Sequence, residues 1–101
     1  MSGPIVSVII PVFNRQEYIR QTVQSVLEQD FFDFELIVVD DRSTDDTWQI
    51  ISSMADWDQR IITLLRPVYL QKGANPCRNY GLQHAKGEFI KWLDSDDLLA
   101  K

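Results

Sequence analysis

Cysteine is almost absent from this chain, since Cys77 is the only one among 101 residues. This scarcity excludes an internal disulfide and a metal site built from cysteines. It also indicates a reducing compartment, so we expect a cytoplasmic location. Cys77 itself falls in a segment with the small apolar face of a helix. We therefore interpret its thiol as part of the hydrophobic core and not as a nucleophile.

A cluster of lysines and arginines is also missing, and so is a long apolar run. The formal net charge of −5 and the pI of about 4.6 predict no nucleic-acid partner. The apolar run within MSGPIVSVIIP is too short, and too closely bounded by proline, for a signal peptide or a membrane span. We expect no membrane segment in these residues and leave open a peripheral attachment of a longer protein.

The composition, with 45% hydrophobic and 25% charged residues, is typical of a folded globular domain. Four apolar stretches alternate with three segments of helical periodicity. The predicted strands are residues 5–11, 35–41, 60–65 and 89–93, and the predicted helices are residues 14–29, 43–57 and 75–85. This order predicts one α/β unit over residues 1–101. Its sheet is Rossmann-like and parallel, with helices on both faces, right-handed crossovers and strand order 3-2-1-4.

The predicted helix starts rest on capping residues. Asn14 is followed three residues later by Glu17, and Ser43 is followed by Asp46, which is the spacing of a capping box. We therefore expect the side chains of Asn14 and Ser43 to accept hydrogen bonds from the first turns of the first two helices. Asn75 is predicted to be the N-cap of the third helix, because Pro76 follows it and proline favours the first helical position.

Two of the predicted strands run into acidic residues. The second ends in Asp40 and Asp41, and the fourth is followed by Asp94, Asp96 and Asp97. With strand order 3-2-1-4, the carboxyl ends of strands one and four flank the point where strand order reverses, which is where ligands bind in such sheets. Carboxylates this close repel one another unless a cation relieves them, so the Asp-x-Asp spacing predicts a divalent-metal site. The alternative is a solvated acidic turn that caps the next helix.

Three blocks of the chain together resemble a known family. They are VSVIIPVFNR, ELIVVDDRSTDDT and GANPCRNYGLQHAKGEFIKWLDSDD. In this order they resemble the nucleotide-sugar half of family 2 glycosyltransferases of the GT-A fold, over nearly the whole chain. The resemblance implies binding of a nucleoside-diphosphate sugar, usually linked to UDP, with Mn²⁺ or Mg²⁺ on the pyrophosphate. The acceptor of the sugar stays unknown.

The same resemblance implies that the chain is only part of such an enzyme. In inverting members the general base lies well downstream of the Asp-x-Asp motif, and no residue here matches it. We therefore expect an inverting glycosyltransferase domain that is truncated after this motif, with the base beyond residue 101. The 101 residues alone are expected to be inactive, and their fourth strand is expected to be an exposed edge through which copies associate.

By position, the resemblance gives four residues a role at the base of the nucleotide. It implies that Pro11 and the ring of Phe13 flank the base, that Asp41 hydrogen-bonds the base, and that Asp40 supports that turn. An ionised carboxylate only accepts hydrogen bonds, so Asp41 should favour uracil and guanine, which present an N–H donor, over cytosine and adenine, which present an acceptor. We therefore predict that affinity falls in the order UDP, GDP, then CDP and ADP. For Phe13 an alternative stays open, in which the ring packs against Tyr18 with no ligand involved.

The remaining assignments concern the ribose, the metal and the diphosphate. The resemblance implies that Asp94 and Ser95 lie near the ribose and that Asp96 holds the metal together with Asp94. It also implies that Arg78 lies on the side of the site that binds the nucleoside-diphosphate sugar. Three other polar residues receive no ligand role. We interpret Arg42 and Lys72 as solvated, with contact to a phosphate as the alternative, and His84 as structural because it has no acidic or cysteine neighbour on its helix.

Other protein classes share parts of this pattern. A metal-dependent nucleotidyltransferase would require a glycine-rich phosphate loop after strand one, where PVFNR contains no glycine. A receiver-type module would require an aspartate at the end of strand three, where Leu65, Arg66 and Pro67 follow one another. A non-catalytic nucleotide-binding fragment is the third alternative, and it stays open at this stage.

Overall fold

The computed structural model describes residues 3–29 and 33–95, and within them strands and helices alternate along the chain. The elements are β1 (Val6–Val12), α1 (Ile19–Leu27), β2 (Phe34–Asp40), α2 (Thr47–Trp57), β3 (Ile61–Leu65), α3 (Ala74–His84) and β4 (Phe89–Trp92). All strand pairs are parallel, and the order across the sheet is β3-β2-β1-β4. The predicted fold class and strand order are therefore confirmed.

The core lies on both faces of the sheet. Helices α1 and α2 cover one face, where the buried side chains are Val8, Ile10, Val12, Leu36 and Val38 from the strands and Ile19, Val23, Val26, Ile51 and Met54 from the helices. Helix α3 covers the other face, where Cys77 packs with Ile9, Ile37 and Val39. Strands covered on both sides need apolar residues at successive positions, which is why β1 and β2 are continuous apolar runs in the sequence.

Helix α3 lies unusually close to the sheet because of Gly81. A Cβ atom at this position would lie 2.9 Å from Cγ2 of Ile9 and 3.1 Å from Cγ2 of Val39. Any larger residue would have to push the helix away from β1 and β2. The glycine therefore sets the depth at which the first turns of α3, with Cys77 and Arg78, lie over the carboxyl ends of the strands.

The prediction of helix caps at Asn14, Ser43 and Asn75 is wrong, and Asn75 lies inside α3, whose N-cap is Gly73. Helix α1 begins only at Ile19, and the N-cap residues of α1 and α2 make no side-chain cap bond. Instead Asn14, at a φ of 51°, donates from Nδ2 to Oγ1 of Thr44 at 3.1 Å and accepts from the Thr44 amide at 2.8 Å. Its own amide donates to Oγ of Ser43 at 2.9 Å. Short polar side chains bond readily to nearby loop backbone, and here they join the β1–α1 loop to the β2–α2 loop.

Strand β4 forms one edge of the sheet in the described part of the chain, as expected. It contributes four residues, and the side chains of Phe89 and Trp92 are 65% and 44% exposed. No helix among residues 3–29 and 33–95 is long and apolar enough to cross a membrane.

Candidate functional site

A pocket of about 260 Å³ opens at the carboxyl ends of the strands, beside the first turns of α3. Strand order reverses between β1 and β4, and such reversals leave a crevice into which loops and helix starts project. Six of the residues that the sequence predicts for the site line this pocket, namely Pro11, Phe13, Asp41, Arg78, Asp94 and Ser95. The parallel sheet therefore brings residues from three distant blocks of sequence to one place.

Asp41 is a buried carboxylate with several partners. It directly follows β2, where its amide donates to the Val12 carbonyl oxygen at 2.8 Å, and its side chain is only 8% exposed. One carboxylate oxygen, Oδ1, accepts a hydrogen bond from Nε of Arg66. The other, Oδ2, accepts from the Gly73 amide at 3.1 Å and lies 3.5 Å from Nζ of Lys72. Two cations and a backbone N–H thus offset the cost of burying this charge.

Arg66 is a site residue that sequence reasoning missed. It immediately follows β3 and is 7% exposed, although arginine is seldom so deeply buried unless it is paired. The available signal was its position, because a charged residue directly after an apolar strand lies at the same sheet edge as the acids. Its partner Asp41 is 25 positions away, so no local pattern in the sequence reveals the pair.

Lys72 is not simply solvated, which corrects the sequence interpretation. Its side chain is 56% exposed, but its Nζ lies 3.2 Å from the centre of the Phe13 ring and close to Asp41. A cation over an aromatic face is attracted by the negative face of the ring. Phe13 is itself only partly buried and lines the pocket, whereas Tyr18 is 51% exposed. This favours a ligand-facing role for the Phe13 ring over the purely structural alternative.

Arg42 makes one polar contact despite its exposure. Its Nε donates to the backbone oxygen of Arg66 at 2.7 Å, and its φ of 60° marks a tight turn after Asp41. The sequence interpretation of a solvated side chain is therefore incomplete. The contact joins the loop after β2 to the loop after β3.

Asp40 lies beneath this turn and not among the residues that line the pocket. It is fully buried, and its Oδ1 accepts hydrogen bonds from the Ser43 hydroxyl at 2.5 Å and the Ser43 amide at 3.2 Å. Among the described residues nothing bonds to its Oδ2. Burial raises the pKa of the Asp40 carboxyl, although the hydrogen bonds from Ser43 act in the opposite direction.

The opposite rim of the pocket is formed by residues around the end of β4. Asp94 is 62% exposed at its side chain, and its Oδ1 accepts a hydrogen bond from Nη2 of Arg78 at 3.2 Å. Arg78 also donates from Nη1 to Oδ1 of Asn75 at 2.8 Å, which holds the guanidinium over the first turn of α3. Ser95 is held by its backbone oxygen, which accepts from Oγ1 of Thr22 at 2.8 Å.

Of the two predicted metal ligands, the structure describes only Asp94. Asp96 lies outside the described residues, and residues 3–29 and 33–95 contain no cluster of three or more histidines, cysteines and acids that could hold an ion. Asp94 offers an exposed carboxylate at the rim of the pocket. Mg²⁺ and similar hard cations are commonly bound by one or two carboxylates together with substrate phosphates, so this donor set fits such an ion.

Cys77 and His84 have the structural roles that were predicted. Cys77 is fully buried beneath the pocket, and desolvation, with a smaller contribution from Asp41, raises the pKa of its thiol to about 12. It is therefore unsuited to nucleophilic chemistry. The His84 ring packs edge-on against Tyr80, and its Nδ1 lies 3.0 Å from the Tyr80 carbonyl oxygen, away from the pocket.

Comparison with known proteins gives a consistent result. The sequence model of the family described as "Glycosyl transferase family 2" matches residues 7–101. Among curated proteins, the chain is 45% identical over 96 residues to the GalNAc(5)-diNAcBac-PP-undecaprenol beta-1,3-glucosyltransferase of Campylobacter jejuni, covering 95% of this chain and 31% of that protein. It is also 45% identical over 93 residues to WfaP of Escherichia coli, named a UDP-Glc:alpha-D-GlcNAc-diphosphoundecaprenol beta-1,3-glucosyltransferase, with 92% and 36% covered. The chain spans about a third of the length of these relatives.

Two solved structures have a similar fold that matches almost the whole chain. Residues 1–349 of S. aureus TarS in complex with UDP-GlcNAc superpose with a TM-score of 0.81 at 36% identity, covering 93% of this chain and 27% of that one. The mannosyltransferase PcManGT from Pyrobaculum calidifontis, in complex with GDP-Man and Mn²⁺, gives a TM-score of 0.87 at 28% identity, covering 100% and 30%.

Proposed function

The chain belongs to glycosyltransferase family 2, and from this we propose that it forms the donor-binding part of an enzyme that transfers a sugar from a UDP-sugar. The observation that carries the proposal is the pocket at the strand-order reversal. There the Asp41 carboxylate and the Phe13 ring lie on one side, and Asp94 and Arg78 on the other. Further support comes from two structural neighbours, one bound to UDP-GlcNAc and the other to GDP-Man and Mn²⁺.

We assign the base of the nucleotide to the side formed by Phe13 and Asp41. An aromatic ring provides a flat face for stacking, and the Phe13 face now carries Lys72, whose exposed side chain can leave. An ionised carboxylate accepts but does not donate, so Asp41 suits the N3–H group of uracil and opposes the bare N3 of cytosine. Pro11 closes the pocket behind the base, which favours a pyrimidine over the larger guanine.

The diphosphate is assigned to the rim between α3 and the end of β4. Phosphates and carboxylates repel each other, so Asp94 can face a pyrophosphate only through a cation. We propose that Asp94 and Asp96 hold Mn²⁺ or Mg²⁺, which when bound neutralises the diphosphate and stabilises the charge on the leaving group. Arg78 lies next to Asp94 and presents a planar fork of donors suited to phosphate oxygens. In this assignment Asp94 and Ser95 also lie near the ribose.

In the proposed enzyme, the residues of this chain bind and orient the UDP-sugar. Residues beyond 101 activate the acceptor. Asp94 is engaged with the metal and ribose side, and Asp41 with Arg66 and Gly73, so neither carboxylate is available as a general base. We propose that the enzyme is inverting, that its base lies in the part of the relatives that this chain does not span, and that these residues alone transfer no sugar.

The metal-dependent binding of UDP tests this proposal. Calorimetric titration of the protein with UDP should give clear binding in Mn²⁺ and much weaker binding in EDTA, because the cation relieves repulsion between the diphosphate and the acidic rim. Asp96→Asn should weaken binding in Mn²⁺, whereas Asp56→Asn, at an exposed position on α2, should not. Equal binding with and without the metal, or unchanged binding by Asp96→Asn, would remove Asp96 from the proposed role.

A further inference from the structure

Arg66 is the most deeply buried cation beside the pocket, yet it is not among the residues that line the pocket. Its Nε donates to Oδ1 of Asp41, and both side chains are 8% exposed. Its backbone amide donates to the Asp40 oxygen at 2.9 Å, so the residue continues the pattern of strand pairing. Arg66 therefore contacts Asp41 from within the fold and not from the pocket.

The other arm of the same guanidinium organises the loop that follows β3. Nη1 of Arg66 donates to the Leu70 oxygen at 2.5 Å and to the Pro67 oxygen at 3.2 Å. The chain then returns to Asp41 at Gly73, whose φ of 140° is open to glycine but strained for other residues and whose amide donates to Oδ2. Arg66 and the loop it shapes therefore hold both oxygens of one carboxylate.

These contacts leave part of the Asp41 carboxylate for a ligand. An ionised carboxylate has about four acceptor positions, of which Arg66 takes one on Oδ1 and the Gly73 amide takes one on Oδ2, and the buried Cys77 thiol is a further neighbour of the carboxylate. Lys72 is the weakly held partner, since its Nζ is 3.5 Å from Oδ2 and its side chain is 56% exposed. A base can replace Lys72 without disturbing the bonds from Arg66 and the Gly73 amide.

We propose that Arg66 is a positioning residue that makes Asp41 selective for a base with an N–H donor. The inference rests on the proposed function and extends it to a residue that does not touch the nucleotide. A carboxylate free to turn could move its lone pairs away from N3 of cytosine, or admit a water between them. Held by Arg66 and Gly73, it cannot turn, so the unfavourable contact with cytosine persists and CDP is rejected.

Binding of UDP and CDP in Mn²⁺ to the unchanged protein and to three variants tests this role. Arg66→Gln should reduce the ratio of the CDP to the UDP dissociation constant by about tenfold, the scale of one well-aligned charge-assisted hydrogen bond. Arg66→Lys should reduce the ratio less, because an ammonium can reach Asp41 but lacks the fork that also holds Leu70 and Pro67. Arg60→Gln is the matched control, since Arg60 pairs with Asp58 at 2.7 Å before β3, and the ratio should stay unchanged.

The ratio of the CDP to the UDP dissociation constant distinguishes a positioning role of Arg66 from a role in the stability of the fold. If Arg66→Gln weakens UDP and CDP equally, Arg66 only supports the fold and the inference is overturned. Should Arg66→Gln fail to fold by circular dichroism, Arg66→Lys decides by the same ratio. If the unchanged protein binds both nucleotides without preference, Asp41 does not read the base and the inference falls while nucleotide binding stands. If it binds neither nucleotide, the proposed function fails as well.

Discussion

Replacement of Gly81 by alanine tests how the depth of α3 is set. In the middle of a helix this change is ordinarily stabilising by about 1 kcal/mol, because alanine has the higher helix propensity. Here the new Cβ would lie 2.9 Å from Ile9 Cγ2 and 3.1 Å from Val39 Cγ2, and both neighbours are fully buried in central strands. Overpacking of a core costs about 1 to 3 kcal/mol. The cost exceeds the gain, so we expect a net loss of about 1 kcal/mol.

Urea unfolding measures this difference directly. With a slope of about 1 to 2 kcal/mol per molar urea for a small protein, the midpoint for Gly81→Ala should fall by about 0.5 to 1 M. Asn79→Ala is the matched control, since Asn79 is exposed on the same helix and should gain a few tenths of a kcal/mol from propensity alone. If Gly81→Ala is as stable as the unchanged protein or more stable, the helix has room for a side chain and the argument from close approach is wrong.

Three further predictions concern single side chains. Asp41→Asn should flatten the preference among UDP, GDP and CDP, because an amide can donate as well as accept; displacement of a fluorescent UDP analogue would show this, and an unchanged preference would reassign Asp41 to a structural role. Burial raises the pKa of Asp40 above its ordinary value of 3.8, so the protonated carboxyl stabilises the fold fully below that pH, and this stabilisation is lost as pH rises through the raised folded-state pKa. Asp40→Asn should therefore be more favourable to stability at neutral pH than near pH 4, and an equal effect at both would contradict the burial argument. Cys77, with a pKa of about 12 and no exposure, should resist a thiol reagent in the folded protein and react once urea unfolds it; rapid labelling without urea would show that α3 opens readily.

The fold followed from the sequence because its strongest signals are local. The apolar runs of β1 and β2 required cover on both faces, and the alternation of strands and helices then left the order 3-2-1-4 as the simplest arrangement. The gathering of Asp41 and Asp94 at one pocket followed from the same parallel sheet. The site predictions beyond that gathering remain predictions, and Asp96 lies outside the described residues.

The errors arose where one residue has two competing partners. Asn14 has the spacing of an N-cap, but the amide and hydroxyl of Thr44 are nearer partners once two loops meet across 30 positions of sequence. Arg66 was overlooked because its partner Asp41 follows a different strand, and Lys72 was taken as solvated because its contacts with Phe13 and Asp41 exist only in the folded chain. Long-range polar pairing has no periodicity, so the sequence carries no pattern that predicts it.

The hydrogen bonds between the loops after β1 and β2 have a consequence for the kinetics of binding. Asn14 bonds to Thr44 and Ser43, and the Arg15 amide donates to Oγ1 of Thr47 at 2.9 Å, so the bonds between the loops are made entirely by residues of the chain. Bonds of this kind belong to the fold, so they reduce the entropy that ordering these loops would cost on binding. If a nucleotide binds as proposed, the loop wall is already formed, and the slowest local step on the base side is expected to be the departure of the exposed Lys72 side chain, a motion that takes nanoseconds or less.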